Sequence, residues 1–140
     1  MNESDFSELI EINDKSGRKY AELEERLIQF AIAILNLAEN LPKTRAGNYI
    51  SGQITRSGTA PALLYGEVQS AESRKDFIHK VQMLLKELRE TQIALKIIER
   101  KPLSTREEVI SLLKESDELI AIFVKSTNTA RSNMKEVKYK

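Results

Sequence analysis

The 140 residues make one domain's length, with 41% hydrophobic and 31% charged residues and a net charge of +1. That balance excludes a disordered chain, and the absence of cysteine excludes disulfides, thiol catalysis and cysteine-ligated metals. The longest apolar-rich run, 27–38, is interrupted by Gln29 and Asn36 and is too short to span a bilayer.

Residues 1–18 contain few apolar side chains without a clear period, and read as a loosely held leader or a short extra helical turn. The opening MNESDFSELIEINDK is acidic and lacks the basic and apolar regions of an export signal, so a cytoplasmic location is expected. From Lys19 the pattern turns helical. Leu23, Leu27, Phe30, Ile34, Leu37 and Leu41 follow the three-and-four spacing of one helix face. Ile28, Ile32 and Leu35 add a second apolar stripe. A bundle helix faces a single core, so that stripe predicts a second partner, and it is the candidate oligomer interface. Leu41-Pro42 stops the helix, because a residue before proline is pushed out of the helical region.

The second long element is expected from Ala46 or Asn48 to Gln69. Gly47, Gly52, Gly58 and Gly66 each weaken it by about 1 kcal/mol relative to alanine. Pro61 removes a backbone donor and crowds the carbonyl of Ser57, which predicts a kink or break near 58–61. Ser73 caps a third helix with Asp76 in its first turn, and Phe77, Val81, Leu84, Leu88, Leu95 and Ile98 form its stripe, with Ile78, Leu85 and Ile97 beside it. Pro102 closes that helix. Thr105-Arg106-Glu107-Glu108 reads as a capping box for a fourth, expected to fade between Thr127 and Met134. The expectation is an all-α, antiparallel up-down-up-down four-helix bundle over 19–135, with a basic tail at 136–140.

Chemistry is thinly provided. The lone His79 lies on a helix with no evident partner, and with a single histidine a carboxylate-histidine di-iron site cannot be built. The glycines match neither a P-loop nor a dinucleotide fingerprint. No catalytic residue, cofactor, metal or membrane partner is expected. Arg56 and Glu67 stand about three turns apart on one helix, too far to bond directly, and with Asp76 they read as structural polar groups. Between 43 and 101, eleven bases outnumber six acids. In a symmetric oligomer that excess is multiplied, which makes Lys43, Arg45, Arg56, Arg74, Lys75 and Arg89 candidate RNA or DNA contacts. Aromatic stacking on bases is thinly provided there, by Tyr49 and Tyr65.

The strings NLPKTRAG (40–47), RSGT (56–59), YGE (65–67), QSAESRKDFIHK (69–80), ELRET (87–91) and DELIAIFVKS (117–126) together resemble the family named after the protein encoded in intervening sequences of bacterial 23S ribosomal RNA genes. The resemblance covers about 23–133. It implies a left-handed antiparallel four-helix bundle that assembles as a homopentameric ring, with no enzymatic activity. A related accessory protein of diversity-generating retroelements implies association with nucleic acid and a nucleic-acid-processing partner. The leading expectation is therefore a non-enzymatic oligomeric bundle that binds nucleic acid or acts as a scaffold. The alternative is a protein-interaction adaptor whose basic residues only solubilise it. An enzyme would need Arg56, Glu67 and His79 gathered in one pocket.

Overall fold

A computed structural model describes residues 1, 3–10 and 19–139 of the chain. Its elements are α1 (Glu3–Leu9), α2 (Lys19–Glu39), α3 (Arg45–Gln69), α4 (Arg74–Arg100) and α5 (Arg106–Tyr139). No strand occurs among the described residues. The four long helices correspond to the four periodic segments, joined by connections of four or five residues.

The inner stripe of α2 is buried as its spacing predicts, from Leu23 through Leu37. It meets Ile54, Tyr65 and Val68 of α3, the Phe77 to Ile98 stripe of α4, and Val109, Leu112, Leu119 and Phe123 of α5 in one continuous core. Fully burying each large aliphatic side chain contributes roughly 1.5–3 kcal/mol, so this aliphatic core dominates the fold's stability. α2 packs along α3, α3 along α4 and α4 along α5, whereas α2 touches α5 over a shorter stretch.

Helix starts follow their caps. The Thr44 hydroxyl accepts from the Gly47 amide at 3.1 Å, which fixes the start of α3 at Arg45, slightly earlier than glycine content alone predicts. The Ser73 hydroxyl accepts from the Asp76 amide at 3.1 Å, and α4 begins at Arg74. α5 begins at Arg106, where Glu108 accepts from the Ser104 hydroxyl at 3.1 Å.

Two expectations are corrected, and one left open between alternatives is decided. α3 runs unbroken through Pro61. Ser57, Gly58 and Pro61 are buried between neighbouring helices, and that packing outweighs the one donor the proline lacks. Of the two readings of the leader, the short extra helical turn holds over Glu3–Leu9. Phe6, Leu9 and Ile10 form a single apolar turn buried on the bundle, too short to register as a period. The Phe6 ring stands edge-on to Tyr65 and Phe77, with centroids 6.2 and 6.1 Å away. The Met1 ammonium donates to the Glu72 carbonyl at 3.0 Å, tying the start of the chain to the α3–α4 turn. Residues 11–18 of the expected leader lie outside the described residues. Finally, α5 does not fade at 127–134 but continues to Tyr139, so all of the expected basic tail except residue 140, which is not described, is helical. Ser126, Thr127 and Ala130 are buried there, and α1 packs against α5. The Ser126 and Thr127 hydroxyls donate to the Ile122 and Val124 carbonyls at 3.0 and 2.9 Å, so the polar side chains enter the packed face already satisfied.

Candidate functional site

Among the described residues, exposed apolar side chains gather on two surfaces that matter here. The first is the second stripe of α2: Ile28, Ile32 and Leu35 are 39%, 43% and 37% exposed. They lie opposite the buried Leu27, Ile34 and Leu37, with exposed Glu25 and Glu39 at either end of the same line. On a helix, positions 25, 28, 32, 35 and 39 share one face.

The second surface is an open groove of about 480 Å³ between α3 and α4. Tyr49, Ile50, Ile93, Ala94 and Ile97 give it an apolar lining, and Lys86 and Arg89 stand at one end. Ile93 and Ile97 continue into a second depression bounded by Lys96, Arg100 and Lys101 at the other end. Ile93 is 56% exposed and Tyr49 66%. Sequence reasoning missed this groove. By its spacing Ile97 reads as lying beside the core stripe, yet it points out with Ile93 one turn before it. The i, i+4 repeat of isoleucines off the Leu88-Leu95-Ile98 stripe was the available signal.

Arg56 crosses the groove wall. Its guanidinium donates to Glu87 at 3.1 Å and to Glu90 at 2.7 Å, which raises its pKa above the ordinary arginine value, the Glu90 hydrogen bond contributing most. This is the structural pairing expected of Arg56, made across to α4. Glu67 is exposed near the end of α3, and His79 is exposed on α4. Asp76 accepts from the Glu72 amide at 3.1 Å and pairs with Lys80 at 3.0 Å; those two contacts, the backbone bond first, hold its carboxyl below the usual range.

The six candidate nucleic-acid contacts are not gathered on one patch. Lys43 and Arg45 are exposed at the α2–α3 turn, whereas Arg74 and Lys75 lie at the other end of the bundle, at the start of α4. Arg89 stands on the groove rim, Arg56 is held by its two carboxylates, and Arg74 faces Asp5 of α1 at 4.0 Å. Of the two tyrosines proposed for stacking, Tyr49 is exposed and Tyr65 is buried, its ring 6.1 Å from that of Phe123. Among the described residues no three His, Asp or Glu side chains gather to hold a metal, and no helix is long and apolar enough to cross a membrane.

With the geometry in place, the comparisons assign a family. The description "23S rRNA-intervening sequence protein" matches residues 21–125. A crystal structure of a protein of unknown function from the S23 ribosomal protein family of Bacteroides thetaiotaomicron is similar, with 32% identity and a TM-score of 0.70. The alignment covers 75% of this chain and 97% of that one. No curated protein matches. The matched stretch runs from the start of the inner α2 stripe to just past the middle of α5, and on that ground the chain belongs to the 23S rRNA-intervening sequence protein family.

Proposed function

We propose that this protein is a non-enzymatic scaffold that works as a homo-oligomer in the cytoplasm and associates with RNA or DNA. In this reading each copy is an antiparallel up-down-up-down bundle. Ile34 beside Gly58 and the Ala38 carbonyl accepting from Ser51 support that order for α2 and α3, since numbers rise on one helix as they fall on the next. The observation that carries the proposal is the outward stripe of Ile28, Ile32 and Leu35 on a helix whose opposite face already fills the core. Three aligned aliphatic side chains in water are what an interface leaves behind when its partner is removed. The family resemblance gives five as the number of copies. Repetition would then multiply Lys43, Arg45, Lys75 and Arg89, none of which has an acidic partner among the described residues.

Light scattering coupled to size exclusion tests the assembly: a mass near five times 16.0 kDa is expected, and a monomer at tens of micromolar would refute it. A shift assay on RNA and DNA at low and moderate salt tests the nucleic-acid role. Affinity that falls steeply with salt is expected for a phosphate-dominated contact. No binding by a verified oligomer leaves the second reading, a protein adaptor. The apolar floor of the α3–α4 groove favours that alternative, because phosphates need no isoleucines.

A further inference from the structure

We propose that the α2 stripe of one copy seats in the α3–α4 groove of the next, a head-to-tail contact that repeats around the assembly. The proposal rests on the self-association argued above and names the two faces that make it.

The two surfaces match in length, chemistry and charge order. From Glu25 to Glu39 the stripe spans fourteen residues, about 21 Å at 1.5 Å per residue. From Lys86 to Lys101 the groove spans fifteen, about 22 Å by the same rise. Each is apolar in the middle, with Ile28, Ile32 and Leu35 on one side and Tyr49, Ile93 and Ile97 on the other. Each is charged at both ends, with opposite signs. Glu25 bonds only the neutral Gln29 amide, and Glu39 has no side-chain partner among the described residues. Lys86, Arg89, Arg100 and Lys101 likewise have no acidic partner there, while Glu87 and Glu90 are occupied by Arg56.

Charge order also selects the symmetry. A two-fold contact of stripe on stripe would set glutamates against glutamates, and groove on groove would set lysines and arginines against one another. Only stripe into groove pairs opposite signs at both ends while burying both apolar centres. The stripe faces away from its own core, so it cannot reach the groove of its own chain. Such a heterologous contact leaves one free stripe and one free groove on every growing assembly, and it closes only as a ring.

The test uses one variant broken on each face. Ile28→Asp with Ile32→Asp removes the stripe; Ile93→Asp with Ile97→Asp removes the groove floor. All four positions are exposed, so circular dichroism is expected to stay unchanged while each variant alone runs as a monomer. Mixed one to one, the pair retains a single intact contact, the first variant's groove with the second's stripe. A dimer of two masses is therefore expected, not the full assembly. Either variant keeping the wild-type mass, or a mixture that stays monomeric, overturns the proposal while leaving self-association standing through another face. A monomeric wild-type protein overturns both. Should an aspartate variant unfold, charge reversal serves instead. Glu25→Lys with Glu39→Lys is expected to weaken assembly at least tenfold, and adding Arg89→Glu with Arg100→Glu in the same chain to restore it. Failure of that restoration also overturns the proposal.

Discussion

Gly58 of α3 lies so close to Ile34 of α2 that a Cβ added to the glycine would fall 2.5 Å from the isoleucine Cγ2 and 3.0 Å from its Cβ. The isoleucine atoms in the way sit near its own backbone, so the side chain cannot swing clear. Gly58→Ala therefore forces α2 and α3 apart. Overpacking of this kind costs about 1–3 kcal/mol, against about 1 kcal/mol gained in helix propensity. A net loss of up to about 2 kcal/mol is expected in urea unfolding. Combined with Ile34→Ala, the alanine at 58 finds room, and the double variant is expected to lose less than the sum of the singles.

Gly52 and Gly66, on the same helix, have nothing within 4 Å of where a Cβ would go. Gly52→Ala and Gly66→Ala are expected to stabilise the protein by about 0.5–1 kcal/mol each, read as a raised urea midpoint with an unchanged slope. Gly47→Ala is expected to do the opposite, because its Cβ would run into the Pro42 carbonyl oxygen that closes the α2–α3 turn. A stabilised Gly47→Ala variant would show that the turn can move away.

These glycines mark how far the sequence could be read. Spacing revealed the buried stripe of α2 and the exposed one across from it, since a helix period needs no tertiary knowledge. The cap at Ser73 was legible because capping is local to the first turn. Continuity of α3 was not, because Gly58 and Pro61 look like breakers until Ile34 is known to press against one and the bundle to enclose the other. The α3–α4 groove was equally hidden. It exists only because α3 and α4 are neighbours, and nothing in the spacing of Tyr49 and Ile93 announces that they share a wall. Arg56 reads in sequence both as an ion-pairing residue and as a nucleic-acid contact, and its partners Glu87 and Glu90 are thirty-one and thirty-four positions away.

Arg26 bridges α2 and α5, where the two helices otherwise meet least. Its guanidinium donates to both oxygens of Glu115, at 2.5 and 3.3 Å, and to Glu118 at 3.0 Å. The Glu115 hydrogen bond is the main cause of its raised pKa. Both partners are partly solvated, so Arg26→Ala is expected to cost only about 1 kcal/mol after screening. Glu115→Ala should cost more than Glu118→Ala, whose carboxylate is more exposed. Arg26→Lys should not recover the loss, since an ammonium cannot repeat the two-pronged contact. Urea unfolding at 0.05 and 1 M salt checks the assignment, the Arg26→Ala difference shrinking at the higher value.

Asp76 predicts an acid dependence. Its folded pKa is depressed, chiefly by the Glu72 amide and then by Lys80. A depressed carboxyl stabilises the fold above the ordinary carboxylate range and loses that contribution as pH falls from about 4 through the folded value. Asp76→Asn is therefore expected to be less stable than wild type at pH 7 and equal to it at the lowest pH where both remain folded. The difference should close across that window in parallel unfolding series. A gap that persists at low pH would mean that shape, not charge, holds the α3–α4 turn.

Phe6 decides whether α1 belongs to the cooperative fold. It is 6% exposed and stands edge-on to Tyr65 and Phe77, whereas α1 itself is only seven residues long. A helix that short has no stability of its own, so docking is all that keeps it formed. Phe6→Ala removes the largest side chain of that contact. Truncating a fully buried phenylalanine costs about 3–5 kcal/mol, but here the loss is capped at whatever free energy holds α1 in place. Once α1 detaches, nothing further is lost from the α2–α5 core. Hydrogen exchange separates the two cases: the Ile10 amide, which donates to the Phe6 carbonyl at 3.0 Å, is expected to lose protection while the Leu84 and Leu88 amides of α4 keep theirs. Equal acceleration at all three would make α1 part of the global unit, and its aromatic contacts with α3 and α4 part of what stabilises the whole bundle.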